Sequence, residues 1–493
     1  MKKQLLCLSR SYLAHLLPTL GQRHADRADY HHIVQTDKEA ALVRSLGGKV
    51  VLNMEEVVRE ALKDPSAPSW NEPSDMRTVT GFGWSAIQSD RYLPNYAPAI
   101  RSRIAGALQQ AVAQLFEEQR FDGFLSEPVA LFITHLIFYH CRKNGTQPLL
   151  WCNTYFSGHF YFADQTAISR PVKRAPLSPI ETQALRTRVA AYAQGVAGDR
   201  AGPIYHHAFS GTKSTQLGYF KQRKGRSPLV LRPGIASRLI QVARLGRATF
   251  ARLVFPKASD FMTAGSVAEH RFYLRCLFAP TSIYDLPPSQ FAADNVVYPL
   301  QYEPEASLLY FAPHHFNQVS FIETVLRALP HGKILWVKEH PNQFGALNES
   351  PWRALKKRHD NLRFVHGRQN GRELIKQSSL VVTISSTMGL DGLLLGRKVL
   401  VGGEVFYNTF TGAIRTDSYL ALAKELNDSR NYQTVDNLES NIEELVEFGR
   451  NTYPGDPQPS DYLFSDENLG HLVAAIDAEL ASLPQASQKA FAQ

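Results

Sequence analysis

Short runs of β-branched and aromatic residues alternate with stretches of helical spacing over most of this chain. Gln4 to Ser9 reads as a strand and Tyr12 to Leu20 as a helix. Tyr30 to Val34 is a second strand, Lys38 to Leu46 a helix ended by Gly47-Gly48, and Lys49 to Leu52 a third strand. Residues Asp64 to Asp90, rich in Pro, Ser, Gly and Trp, read as a long loop. Ala97 to Arg120 has helical spacing. Gly123 to Ser126 is a short strand that delivers Glu127-Pro128, and Val129 to Arg142 is an apolar helix. Leu149 to Cys152 is another strand, followed by Tyr155, Phe156, Phe160, Tyr161 and Phe162. Such alternation predicts a parallel sheet with helices on both faces. This first Rossmann-like domain is expected to close near Asp164.

From about Gln165 to Ala293 the alternation fails. Lys221 to Lys257 holds ten Lys or Arg and no acidic residue. Within it, Ile235 to Phe255 sets Leu239, Val242, Leu245, Phe250 and Leu253 mostly on one helical face, with Arg244, Arg247 and Arg252 mostly on the other. That pattern suits a basic amphipathic helix resting on anionic membrane. It equally suits an insertion helix packed on the protein with its basic face solvated. A third option leaves the helix hidden while Lys221, Arg223, Lys224 and Arg226 alone touch headgroups.

A second Rossmann-like domain begins near Asn295. Its strands are Val296 to Leu300, Ile334 to Val337 and Leu380 to Ile384. Its helices include Phe316 to Leu329, Ser350 to Lys357 and Gly371 to Gln377, and after Tyr407 come Tyr419 to Glu425 and Leu438 to Arg450. A final helix, Gly470 to Leu483, is expected to cross back to the first domain. The expected partition is therefore 1–164, a basic helical insertion 165–293, 294–469, and a terminal helix and tail 470–493.

Length supports two domains, since 493 residues exceed what one compact core holds. A formal charge of +9 suggests contact with something acidic without choosing phosphate, nucleic acid or membrane. Cys7, Cys141, Cys152 and Cys276 show no metal-type spacing and read as buried thiols in a reducing cytoplasm. Arg10 interrupts the apolar start too early for a signal peptide, and no run is long enough to cross a bilayer. A cytoplasmic protein, with attachment to a membrane surface left open, is the expectation. The first strand is not followed by GxGxxG, which argues against a dinucleotide there.

Three polar signatures follow strands of the second domain, and ligands in such sheets bind beyond the carboxyl ends of the strands. Ser385-Ser386-Thr387 stands where a strand ends and a helix begins. Free N–H groups there suit an anion, although taken alone these residues read as a plain N-cap. Lys338-Glu339-His340-Pro341 puts three ionisable groups at a strand end, with Pro341 holding His340 extended. A His or Lys there can neutralise a leaving phosphate. Gln301-Tyr302-Glu303-Pro304-Glu305 offers two carboxylates, of which Glu303 reads as a solvated turn residue. Glu127 holds an equivalent strand end in the first domain. Carboxylates facing across a cleft suit glycosyl transfer through an oxocarbenium-like transition state. Asp391 reads as a first-turn residue favouring the helix dipole. Arg10 and Asp90-Arg91 are minor candidates for acceptor contacts.

The series Pro299-Leu300-Gln301, Glu303-Pro304-Glu305, Lys338 to Pro341, Ser385 to Leu393 and Gly396-Arg397-Lys398-Val399 resembles the bacterial capsule polysaccharide biosynthesis family, which includes the β-Kdo glycosyltransferases. The resemblance covers Asn295 to Tyr407 and implies an α/β, GT-B-like pair of Rossmann-like domains facing across a cleft. It implies that His340 contacts the phosphate of a CMP-sugar donor, with Lys338, Pro341, Gln301 and Ser385 to Thr387 close to the nucleotide. It further implies a retaining enzyme in which a carboxylate attacks the anomeric carbon, a place that Glu305 fits as nucleophile or cation stabiliser. Glu127 reads as an acid/base or acceptor-orienting group, and no metal or other cofactor is expected. The expected acceptor is a lipid-linked glycan, and no nucleic-acid partner is expected. The rival expectations are a UDP-sugar transferase or epimerase on the same architecture, and a non-enzymatic capsule assembly or export factor.

Overall fold

The computed structural model describes residues 2–163 except 157, then 177–198, 235–254, 258, 274 and 277–285, and 295–481 except 304, 311, 313, 316, 342, 344 and 368. The first domain runs β1 (Lys3–Leu8), α1 (Leu13–Arg23), β2 (Ala28–Val34), α2 (Asp37–Ser45), β3 (Lys49–Asn53), α3 (Met54–Lys63), α4 (Met76–Thr80), α5 (Pro98–Glu118), β4 (Gly123–Ser126), α6 (Phe132–Asn144), β5 (Gln147–Asn153) and β6 (His159–Ala163). Two helices follow, α7 (Pro179–Ala197) and α8 (Ile235–Val254). The second domain runs β7 (Asn295–Pro299), α9 (Ala306–Leu309), α10 (Gln318–Ala328), β8 (Ile334–Lys338), α11 (Ser350–Arg358), β9 (Leu362–Val365), α12 (Gly371–Gln377), β10 (Leu380–Thr383), α13 (Thr387–Leu394), β11 (Lys398–Val401), β12 (Ala413–Arg415) and α14 (Tyr419–Asn427). After it come α15 (Leu438–Gly449), β13 (Tyr453–Pro454) and α16 (Asp466–Ala481).

The strands form two sheets, ordered β13-β6-β5-β4-β1-β2-β3 and β12-β11-β10-β7-β8-β9. β1 to β5 pair in parallel, with β6 and β13 antiparallel at one edge. The second sheet is parallel throughout. Strands such as β4 and β10 are buried at every position, as a sheet covered by helices on both faces requires. This is the α/β, GT-B-like pair of Rossmann-like domains that the sequence pattern and the resemblance led us to expect.

Local chemistry sets the boundaries. Thr36 and Glu39 form a reciprocal capping box that starts α2, and Gly47 takes a φ of 74° just beyond its end. The segment expected to be a long loop contains the single short helix α4, and its start lies flat on α5. At Gly106 an added Cβ would sit 2.2 Å from the Pro68 carbonyl oxygen, so only glycine lets that backbone pass. The aromatic run Phe160-Tyr161-Phe162 lies inside β6, where Phe160 stacks on Trp151 of β5, Phe162 tilts against the same ring and Tyr161 packs edge-on to Phe448.

The final helix does cross back. Leu469, Leu472, Val473, Ile476 and Leu480 of α16 share a core with Leu5, Leu16, Leu20, Leu125 and Leu149. Arg23 pairs with Asp466 at 2.7 Å, and His24 meets Asp477 at 2.8 Å. The return begins earlier than Gly470, because β13 already completes the first sheet's edge at Tyr453. Part of the insertion is a buttress for the second domain. Leu185, Val189, Ala193 and Val196 of α7 are buried, and Arg186 is ion-paired with Glu439 and Glu443 of α15. Lys221, Arg223, Lys224 and Arg226 lie outside the described residues.

One apolar cluster spans both domains. It includes Phe82, Phe132 and Leu136 from the first and Tyr310, Leu390 and Phe406 from the second. Tyr310 packs edge-on to Phe82 at 5.1 Å and to His135 at 5.9 Å, while Tyr155 stacks on Phe406 at 5.0 Å.

Candidate active site at the facing sheet edges

β10, β7 and β8 are neighbours in the second sheet, so the three polar signatures emerge side by side at one carboxyl edge. A hydrogen-bond network ties two of them together. The Gln301 side-chain amide donates to Ser385 Oγ at 2.9 Å and Ser307 Oγ at 3.0 Å, and the Ser385 backbone N–H donates to Gln301 Oε1 at 3.1 Å. Ser385 Oγ donates to the Ser307 carbonyl at 2.7 Å, and Ser307 Oγ donates to Glu305 Oε2 at 2.8 Å. Gln318 clamps the backbone of Gln301 from below, accepting from its N–H at 2.8 Å and donating to its carbonyl at 3.0 Å. Burial raises the Glu305 pKa, while the positive charge of Arg91 and the Ser307 hydrogen bond oppose the rise. Arg91 belongs to the other domain.

The histidine signature joins through its neighbours. The Tyr302 ring stands edge-on to His340 at 5.8 Å, and Gln343 holds the Glu303 backbone, accepting from its N–H at 2.8 Å. Burial and then the charge of Lys338 depress the His340 pKa to about 4, so the ring is neutral at physiological pH. As a phosphate ligand it would act as a neutral N–H donor. Lys338 sits beneath the edge, its ammonium donating to the Gly367 carbonyl at 3.0 Å and the Glu339 carbonyl at 3.2 Å. Burial lowers its pKa to about 8. Its charge therefore stands behind His340, with two of its three protons already engaged. Glu339 is a brace. It accepts from the Tyr284 hydroxyl at 2.8 Å and from the N–H groups of Gly345 at 2.8 Å and Leu347 at 3.3 Å. Pro341 is exposed at the rim.

Each hydroxyl of Ser385-Ser386-Thr387 has a different place. Ser385 is buried and braces the network above. Ser386 is the N-cap of α13, accepting from the Met388 N–H at 3.2 Å, and the Tyr407 hydroxyl donates to its carbonyl. Thr387, half-buried, is the first residue of the helix. The capping role is thus real for Ser386.

Two expectations are corrected here. Glu303 is not a solvated turn residue: burial raises its pKa against hydrogen bonds from Gln318. Asp391 does more than favour a dipole. Its carboxylate accepts from Arg372 Nε at 2.9 Å, with both side chains largely buried, and its charge bears on Tyr192 of α7. A pair so enclosed ties α12, α13 and α7 into one unit.

In the first domain, β1 and β4 are adjacent and their carboxyl ends carry Arg10 and Glu127. Arg10 Nη2 donates to Glu127 Oε2 at 2.5 Å. Tyr12 lies against the same carboxylate and accepts from Gln458 at 3.3 Å. Asp90 is structural. Its carboxylate accepts from the N–H groups of Tyr92 at 2.7 Å, Leu93 at 2.8 Å and Phe132 at 2.6 Å, which fixes the loop to the start of α6. The next two residues link the carboxylates of the two domains. Arg91 acts electrostatically on Glu305, and Tyr92 on Arg10, which holds Glu127. Glu127 and Glu305 make no direct contact with each other among the described residues. Ser307 and Gln318, which complete the network, escaped the sequence reading, since a serine and a glutamine in helical spacing carry no local signal.

Two α/β domains with polar residues gathered where their sheet edges meet define the class of protein. Residues 286–431 match the family described as capsule polysaccharide biosynthesis protein, so this stretch of the second domain is similar to that family. Protein FixF of Sinorhizobium fredii is 28% identical over 124 residues, which is 24% of this chain and 29% of that protein. The chain thus spans under a third of that relative. Solved structures similar to this chain include the β-Kdo 2,7 transferase of Thermosulfurimonas dismutans KpsC, at 13% identity over 75% of this chain and 89% of that one, with a TM-score of 0.33. A UDP-GlcNAc 2-epimerase from Methanocaldococcus jannaschii is 11% identical over 91% of this chain and all of that one, with a TM-score of 0.25.

Proposed function

We propose that this protein is a glycosyltransferase of surface polysaccharide assembly. It takes Kdo or a related ulosonic acid from its CMP-sugar and passes it, with retention, to a lipid-linked glycan at the cytoplasmic face of the membrane. The observation that carries the reading is the hydrogen-bonded convergence of Glu305 with Gln301 and Ser385, facing a guanidinium from the other domain. In the first step a Glu305 oxygen bonds to the anomeric carbon. The bond from that carbon to the phosphate oxygen breaks, and CMP leaves with the electron pair. The His340 N–H and the positive end of the α13 dipole meet the charge of the departing phosphate. In the second step Glu127 takes the proton of an acceptor hydroxyl, whose oxygen displaces Glu305 from the same carbon. Two displacements on one carbon give retention.

The donor class is tested first by thermal shift with CMP against UDP. Stabilisation by CMP alone is expected, and stabilisation by UDP alone would overturn the donor assignment. CMP release from CMP-Kdo with candidate acceptors then tests turnover. Glu305→Gln should lower release at least about a thousandfold while leaving the melting temperature near that of the parent protein. Full activity in that variant would remove Glu305 from the chemistry.

A further inference from the structure

The helix α8 is amphipathic with its faces reversed relative to a helix packed on a core. Successive residues advance about 100° around a helix. On that wheel Ile235, Leu239, Ala243, Phe250, Leu253 and Val254 share one arc, and this arc faces outward. Ile235 is 70% exposed, Phe250 and Leu253 66%, and Leu239 61%. The less exposed arc carries Arg238, Gln241, Val242, Leu245, Ala248, Thr249 and Arg252. It is the more polar of the two, and Arg238 lies over the Phe278 ring at 6.0 Å. Arg244 and Arg247 are exposed along one flank of the apolar arc. The basic solvated face expected of a plain insertion helix is therefore not what α8 presents.

Charge selects the occupant. No acidic residue occurs in α8, nor anywhere between Asp199 and Asp260. A second copy docked here would set arginine against arginine, which opposes self-pairing. A nucleic acid needs cations at the centre of its footprint, whereas the centre here is leucine and phenylalanine. An anionic bilayer fits both parts, with apolar side chains at the acyl boundary and flanking arginines at the headgroup phosphates.

We propose that the outward face of α8 docks on an anionic lipid surface, with Leu239, Phe250 and Leu253 inserted and Arg244 and Arg247 at the headgroups. The proposal extends the transferase reading by naming the element that would hold the enzyme beside a lipid-linked acceptor. No membrane-crossing helix is involved, since none among the described residues is long and apolar enough.

Flotation of the full chain with vesicles tests it, with no sugar nucleotide present. Binding is expected to vesicles of phosphatidylcholine with about one-third phosphatidylglycerol, and to fall at least about tenfold on phosphatidylcholine alone. Leu239→Glu with Phe250→Glu should lower binding to the anionic vesicles at least about tenfold. Arg244→Gln with Arg247→Gln should lower it about fivefold per residue, on anionic vesicles only. These positions are exposed, so the melting temperature and the CMP shift should match those of the parent. Equal binding to both vesicle types, or unchanged binding in the Glu variant, would overturn the docking face. So would a parent dimer in sedimentation that the Glu variant dissociates. A missing CMP shift would sink the donor assignment and leave the vesicle result standing.

Discussion

Glu305 is held between two influences of opposite sign, and Arg91 is the one that can be removed cleanly. Burial pushes the carboxyl pKa up, and the guanidinium opposes it. Arg91→Met keeps most of the apolar stem and removes the charge. The carboxylate then loses its favourable neighbour, its pKa rises, and a larger share is protonated at any given pH. The acidic limb of the kcat/KM profile should move to higher pH, while activity well above that limb changes less. An unmoved limb would show that Glu305 does not feel Arg91. At this scale the sequence was partly legible. The His340-Pro341 dipeptide and the carboxylates at strand ends stand out because ionisable residues are unusual there. Arg91 did not, because its importance comes from the opposite domain, 214 positions away in Glu305 by subtraction of the two numbers.

The strands and helices were more legible than the contacts between them, because hydrophobic period is a property of each segment alone. The loop joining β10 to α13 shows what period leaves out. Gly389 lies within α13, where alanine would ordinarily stabilise by about 0.5–1 kcal/mol. Here an added Cβ would stand 2.4 Å from the Tyr407 hydroxyl and 2.9 Å from its ring. That hydroxyl donates to the Ser386 carbonyl, so the clash displaces the tyrosine from the turn it supports. Gly389→Ala should therefore lower the melting temperature and weaken the CMP-induced shift together. A variant more stable than its parent would show that the tyrosine moves aside freely. The reversed face of α8 was equally hidden. Period gives an amphipathic helix but not which face is turned inward.

Tyr310 is the residue through which the second domain enters the first, buried to 1% exposure between Phe82 and His135. Its hydroxyl has no hydrogen-bond partner among the described residues. Tyr310→Phe should be neutral or slightly stabilising, within about 1 kcal/mol, since it deletes an unpaired polar group. Tyr310→Ala should cost about 3–5 kcal/mol through loss of the ring contacts. Chemical denaturation of both variants measures the two. A large loss in the phenylalanine variant would mean that the hydroxyl is bonded in solution. The two-domain division and the crossing of the last helix were readable in outline. The earlier return through β13 was not, because two residues are too short a run to show a period.

The first sheet is finished by chain that lies beyond the whole second domain, from Tyr453 to α16. During synthesis the amino-terminal half would therefore emerge with an unpaired strand edge and bare leucines on one face. The later domain, contiguous in the polypeptide, can close first. The first sheet thus keeps that surface open until α16 has been made, and chaperones would meet it there in the interval.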